Sequence, residues 1–191
     1  VLWVLLLIYV LIKNKKNNLT YVFSFRNDDD WEYEETIGLK NYLYVIGGGH
    51  VGIAVSKLMS ELDFHVTVYD DRKDLMGLKN NIFVNKIITG EYSDLGKHVT
   101  EGNQTYIVIV TKSMISDKES LLQVINKNVR YIGIMGTKVK IKKIFNEAVK
   151  AGVRKELLKK VHAPIGIDIS SDTPEEIAVS IAAEIIKLKN S

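Results

Sequence analysis

The sequence predicts an α/β protein: a doubly wound, mostly parallel sheet with a small N-terminal β appendage. Three observations carry that prediction. Short apolar runs rich in Val and Ile recur along the chain without the polar alternation of half-exposed strands. Amphipathic helical patterns separate them. Glycine turns stand at the carboxyl ends of two of the runs, at Gly47-Gly48-Gly49 and at Gly133-Ile134-Met135-Gly136.

The first glycine turn makes the prediction Rossmann-like. Leu43-Tyr44-Val45-Ile46 leads into Gly47-Gly48-Gly49-His50-Val51-Gly52, a Gly-x-Gly-x-x-Gly motif. A helical stripe of Val51, Val55, Leu58 and Leu62 follows, then a strand, Val66-Thr67-Val68-Tyr69, ending at Asp70. Strand, glycines, helix, strand and acid in that order form the dinucleotide fingerprint. Gly47 permits the tight turn, Gly49 lets a pyrophosphate approach the backbone, and Gly52 lets the helix lie near the sheet. The free N–H groups of the helix's first turn then face the phosphates, where the helix dipole also favours negative charge. Asp70 follows Gly52 at close to the ~20-residue distance from which a carboxylate reaches a ribose hydroxyl. Asp71 and Arg72 either reach the ligand from the strand end or pair on the surface.

Ahead of the fingerprint, residues 1–37 read as a β-rich appendage and 38–191 as the Rossmann-like domain. An apolar run over 1–12 is too short for a bilayer span, which needs ~20 residues. Lysines follow it rather than precede it, unlike a signal peptide. The reading is a strand over 1–12, a polar turn over 14–18, a strand over 19–25, a turn over 26–30 and a strand over 31–36. Membrane attachment through Lys13, Lys15 and Lys16 is the weaker alternative to a solvated turn.

After Asp70 a third strand with a break is expected over 82–88, and a short helical segment over 93–98. A buried strand follows over 105–110, then a helix over 117–126 and a strand over 129–134. The second glycine loop continues into Thr137-Lys138, and a helix is expected over 139–150 with Ile141, Ile144, Phe145 and Ala148 inward. Two readings stay open for this loop. It lines the same crevice as the first, with Thr137, Lys138 and Lys140 offering a hydroxyl and cations. Otherwise it is a glycine turn before a solvated lysine-rich helix. A short helix is expected over 155–160. Val161-His162-Ala163-Pro164-Ile165-Gly166-Ile167-Asp168-Ile169 is too broken for a central strand. His162 is either a satisfied core histidine or a functional imidazole. The final helix starts with Thr173 as N-cap, Pro174 at N1 and Glu176 closing a capping box. Its stripe of Ile177, Ile181, Ile185 and Leu188 is core or a dimer face.

Composition narrows the function classes. With 191 residues, 46% hydrophobic and 26% charged, the chain holds an ordinary globular domain plus an appendage. A net charge of +3 and no basic face interleaved with aromatics argue against nucleic-acid binding. The sequence has no cysteine, which removes disulfides, thiolate metal sites and Cys nucleophiles and fits a cytoplasmic setting. The four histidines show no metal-ligand spacing.

Five blocks occur in a definite order: the fingerprint at 44–52, Asp70-Asp71-Arg72, Tyr131-Ile132-Gly133-Ile134-Met135-Gly136-Thr137-Lys138, His162-Ala163-Pro164-Ile165-Gly166-Ile167-Asp168-Ile169, and Thr173-Pro174-Glu175-Glu176-Ile177-Ala178-Val179-Ser180-Ile181 with Glu184-Ile185. Together they resemble the C-terminal Rossmann domain of the XdhC/CoxI family, the xanthine dehydrogenase accessory proteins, over residues ~40–188. The resemblance implies a maturation factor that binds molybdenum cofactor, as the pterin or a dinucleotide form, and assists its delivery to a molybdenum hydroxylase such as xanthine dehydrogenase. It implies cofactor contacts at Gly47, Gly49, His50, Gly52, Asp70, Asp71, Arg72, Gly133, Gly136, Thr137, Lys138, His162, Pro164, Gly166 and Asp168, with no catalytic residue and no protein metal site. The chain departs from the family at Gly136-Thr137-Lys138, where Gly-Ser-Arg/Lys is common, and in lacking the family's cysteine-bearing N-terminal segment. A separate Cys-bearing partner is therefore expected, and a homodimer is expected besides. The alternatives are an NAD(P)-dependent oxidoreductase, for which His162 is the candidate proton donor, and a nucleotide-sensing regulatory module.

Overall fold

The computed structural model describes residues 21–27, 30–35, 41–74 and 76–191. The chain divides into two compact units, Val1–Leu39 with Asn190–Ser191, and Lys40–Lys189. In the first, β1 (Tyr21–Asn27) and β2 (Asp30–Glu35) pair antiparallel, Tyr21 opposite Glu35 and Asn27 opposite Asp30. The strand and turn expected over 1–12 and 14–18 lie outside the described residues.

The second unit is built on one five-stranded parallel sheet. Its strands are β3 (Asn41–Ile46), β4 (Phe64–Asp70), β5 (Lys86–Thr89), β6 (Gly102–Ile109) and β7 (Val129–Ile134), in the order β5-β4-β3-β6-β7. The helices are α1 (His50–Glu61), α2 (Met76–Lys79), α3 (Met114–Val124), α4 (Lys138–Lys150), α5 (Lys155–Leu158) and α6 (Pro174–Lys189), with a 3-10 segment at Tyr92–Lys97.

Both sheet faces are covered because successive strand side chains point opposite ways. Leu43 and Val45 enter one core with Val66, Val68, Tyr106 and Val108, packed by Val55 and Met59 of α1 and by Ile181 and Ile185 of α6. Tyr44 and Ile46 enter the other with Ile107, Ile109, Ile132 and Ile134, packed by Leu121 and Val124 of α3 and by Ile141 and Ile144 of α4. Each fully buried aliphatic side chain contributes roughly 1.5–3 kcal/mol. A strand with apolar residues at every position is stable only when sandwiched in this way.

Two elements differ from expectation for local reasons. The broken strand over 82–88 narrows to β5, and Ile82 is 84% exposed. Asparagine side chains capture the backbone there: Asn81 Oδ1 accepts the Phe83 N–H at 3.2 Å, and Asn85 Oδ1 accepts the Val66 N–H at 2.8 Å. The helix expected from 117 starts at Met114, because Ser113 caps it by accepting the Ser116 N–H at 3.1 Å. The short helical segment expected over 93–98 forms as a 3-10 helix over Tyr92–Lys97. At α6 the capping box forms: Thr173 Oγ1 accepts the Glu176 N–H at 3.2 Å, and Glu176 Oε2 accepts the Thr173 N–H at 3.0 Å.

The chain leaves β3 to build β4 on one side and β6 on the other. The carboxyl ends of β3 and β6 are therefore the topological switch point, where open parallel sheets hold ligands.

Candidate functional site

Gly47 turns out of β3 at φ +114°, and a Cβ there would lie 2.5 Å from the Val110 carbonyl oxygen beyond β6. A Cβ on Gly52 would overlap the Gly47 carbonyl oxygen, so α1 sits directly on the turn. Gly49 differs from both. It is the N-cap of α1, has no side-chain cap, and a Cβ built on it meets nothing within 4 Å. The first intrahelical bond runs from the Ile53 N–H to the Gly49 carbonyl at 2.9 Å. The N–H groups before Ile53 therefore have no acceptor within α1. This is an open, donor-lined position at the positive end of a helix.

Asp70 is fully buried and both its oxygens are engaged. Oδ2 accepts the Gly48 N–H at 2.7 Å and Arg72 Nη2 at 2.8 Å; Oδ1 accepts the Arg72 N–H at 2.9 Å and Arg72 Nε at 2.8 Å. Burial would raise its pKa, but the Arg72 guanidinium and the two N–H groups hold the carboxyl below its usual range. Asp70 thus ties the glycine turn to the end of β4 and anchors Arg72. Asp71 faces Lys112 Nζ at 3.5 Å and receives the Tyr92 hydroxyl at 3.4 Å.

Between β6 and β7 lies a second polar group. Asp117, in the first turn of α3, is fully buried; Oδ1 accepts the Thr111 hydroxyl at 2.6 Å and the Thr111 N–H at 3.1 Å. Lys140 Nζ lies 2.5 Å from Asp117 Oδ2 and donates to the Met135 carbonyl at 3.3 Å. Desolvation raises the Asp117 pKa against the opposing pull of Lys140 and Thr111. Lys140 thereby joins the second glycine loop to Thr111, and Val110 beside it donates its N–H to the Ile46 carbonyl at 2.8 Å. The two glycine loops flank β6, separated by two strand spacings, on the order of 10 Å.

A third group lies over β7. His162 forms a parallel bridge to Gly133, with its N–H on the Ile132 carbonyl and its carbonyl on the Ile134 N–H, both at 2.9 Å. Its Nδ1 lies 2.9 Å from Glu184 Oε1 of α6. Glu184 Oε2 accepts the Tyr131 hydroxyl at 2.5 Å and the Gly166 N–H at 2.9 Å. The Tyr131 and His162 ring centroids are 4.6 Å apart. Burial would push the Glu184 carboxyl up, but Tyr131, the Gly166 N–H and His162 hold it below the usual range. Burial, followed by the hydrogen bond to Glu184 and then the Glu184 charge, raises the Tyr131 phenol, so it stays a donor.

The remaining sequence-predicted residues divide. At Gly133 the space for a Cβ is taken by Ile165 and the Tyr131 hydroxyl, which is a packing requirement. Gly166, at φ +91°, would carry its Cβ into Ser180 Oγ, so it too serves contact with α6. Thr137 caps α4, accepting the Lys140 N–H at 3.2 Å. Exposed His50 lines a groove of about 400 Å³ between α1 and α6. Lys138, Pro164 and Asp168 are exposed, and Asp168 accepts the Ser170 N–H at 3.3 Å. Among the described residues no helix is long and apolar enough to cross a membrane, and no three metal-ligating side chains cluster.

Sequence reasoning missed Thr111, Asp117, Tyr131 and Glu184 as site residues. Glu184 carried a usable signal. It stands three residues after Ile181 and four before Leu188, a carboxylate inside the apolar stripe that the helical period turns inward.

Comparison with known proteins adds a family and a length. The XdhC Rossmann domain family matches residues 43–185. An uncharacterized Escherichia coli protein, YqeB, is 27% identical over 157 residues, covering 81% of this chain and 28% of its own length. A Bacillus subtilis protein described as a probable subunit of xanthine dehydrogenase is 24% identical over 150 residues, covering 78% of this chain and 43% of its own. A solved structure described as a xanthine dehydrogenase from Bacillus halodurans superposes with a TM-score of 0.66 at 24% identity, over 83% of this chain and 44% of that one. The chain thus spans less than half the length of these relatives.

Proposed function

This chain belongs to the XdhC Rossmann domain family, and from that premise we propose that it is an accessory factor that binds molybdenum cofactor in the crevice at the ends of β3, β6 and β7. Its role is to assist delivery of that cargo to a molybdenum hydroxylase of the xanthine dehydrogenase type. The observation that carries the reading is the open side of Gly49, where a Cβ would meet nothing within 4 Å at the donor-lined start of α1. The terminal phosphate of a pterin cofactor, or the pyrophosphate of a dinucleotide form, fits that position by charge and by hydrogen-bond donors. The name of the Bacillus subtilis relative supports the choice of client. Sulfuration of the cofactor needs a thiol, and these 191 residues contain no cysteine, so that step is assigned to a Cys-bearing segment or partner outside them. A homodimer in the cytoplasm completes the reading.

The state of Asp70 bears on the nicotinamide alternative. A fingerprint carboxylate that selects a ribose must offer free oxygens, whereas Asp70 is buried with both oxygens engaged. The test is parallel calorimetric titration with molybdenum cofactor, NADH and NADPH. Tight binding of the pterin with weak or absent nicotinamide binding is expected. Nicotinamide binding without pterin binding overturns the proposal and moves the search to an oxidoreductase substrate or a sensor partner.

A further inference from the structure

The chain itself occupies the end of β4. In a dinucleotide-binding sheet the acid at this position accepts the hydroxyls of a ribose. Asp70 is 0% exposed and accepts four hydrogen bonds, of which three come from residue 72: its N–H, Nε and Nη2. Residue 72 stands two positions from the carboxylate, so closing this fork costs little chain entropy. Its side-chain bonds are charge-assisted, roughly twice as strong as the neutral bonds that ribose hydroxyls would put in their place.

An arginine near this position can instead receive a phosphate on the ribose, but the charges here are already balanced. Asp71 Oδ1 lies 3.9 Å from Arg72 Nε, and Lys112 Nζ lies 3.5 Å from Asp71 Oδ2, so two carboxylates face two cations. The space over Gly48 is filled as well. A Cβ there would lie 2.9 Å from Leu78 Cδ1, and Leu78 is buried. Gly49, one residue on, faces nothing within 4 Å. The glycine turn is therefore open at the start of α1 and closed at Gly48 and Asp70.

We propose that Arg72 is a specificity-determining residue that closes the ribose position at Asp70, so that the crevice refuses ligands whose phosphate continues into a second nucleoside and takes those that end in a phosphate monoester. Of the two forms of the cofactor, the pterin monophosphate is then the cargo. The cargo rests on the reading above; the closure at Asp70 does not. It also reverses the role that the resemblance gives Arg72, from a ligand contact to a group that shuts a ligand out.

Arg72→Met is the discriminating variant, because charge and closure predict opposite signs. Losing a cation beside the crevice weakens the binding of any phosphate. Losing the fork frees acceptor positions on Asp70 for a ribose. Calorimetry of the full chain compares ADP-ribose with inorganic pyrophosphate, which has the two phosphates and no ribose. Wild type is expected to bind the two within tenfold of each other. Arg72→Met should bind ADP-ribose at least tenfold more tightly than wild type does, and pyrophosphate no more tightly. Adding Asp70→Asn should remove most of that gain. Should Arg72→Met not fold, Arg72→Lys, which keeps the charge and loses the fork, is expected to gain at least threefold. A smaller gain in the folded variant overturns the inference, as does a gain that survives Asp70→Asn. Wild type that already prefers ADP-ribose by more than tenfold overturns it too. Absence of molybdenum cofactor binding by wild type overturns the crevice reading and leaves the closure standing, since the ADP-ribose titrations do not use that cargo.

Discussion

Three carboxylates respond to pH in two directions. Asp70 and Glu184 are held below the usual range by the donors around them. Each stabilises the fold above the unfolded-chain value near pH 4, and that contribution is lost as pH falls through the lower folded value. Asp117 is raised by desolvation, so its contribution is present in acid and declines as pH rises through its folded pKa. Asp70→Asn is expected to cost about 2 kcal/mol at pH 7, from charged hydrogen bonds lost to Arg72 and the Gly48 N–H. It should also flatten the acid limb of the stability curve, read by urea unfolding from pH 7 down to 3. A variant that keeps the wild-type slope below about pH 5 would place the acid sensitivity elsewhere. Gly49→Val probes the neighbouring position from the opposite side. Its side chain enters open space, so the unfolding midpoint should fall only by the few degrees that a poorer N-cap residue costs, while molybdenum cofactor binding disappears. Retained affinity in that variant would falsify the phosphate position.

The elements most legible in the sequence are those set by short-range chemistry. The capping box at Thr173 and Glu176, the β7 strand and the fingerprint turn all rest on residues within a few positions of one another. Thr173→Ala should cost about 1 kcal/mol in thermal unfolding, the usual worth of an N-cap side chain. Gly52→Ala is expected to cost more, about 2–3 kcal/mol, because its Cβ would overlap the Gly47 carbonyl in a packed turn that cannot recede. The Asp117 and Lys140 pair was not legible, since it joins first turns of two helices separated by β7. Lys140→Met should destabilise by about 2–3 kcal/mol, less than a fully enclosed pair because Lys140 is 27% exposed. Adding Asp117→Asn should recover part of that loss. A double variant as unstable as the single one would show that the lysine acts through packing instead.

At the scale of the molecule, the doubly wound class and the position of the sheet's switch point were readable because strand runs, glycine turns and acid occur in a diagnostic order. The site's partners were not. Glu184 meets His162 only after α6 folds back across the sheet, and Gly133 is explained by Ile165, a contact between separate segments. Residues Lys40–Lys189 contain both cores and all three polar clusters. A chain beginning at Lys40 is expected to unfold cooperatively and to keep the wild-type response to molybdenum cofactor. Loss of either would assign residues before it a part in the fold or the site.

The bridge at His162 has a bearing on self-association. An exposed strand edge is a template for pairing with another chain. On the β7 side, His162 occupies the backbone groups of Ile132 and Ile134 that such a neighbour would need. On the other side β5 is only four residues long and begins with a lysine, a poor template for sheet extension. Two copies of the Rossmann unit therefore have little to gain by merging sheets. Cutting the bridge by deleting the His162 turn would uncover β7 and leave a molecule prone to edge-to-edge aggregation.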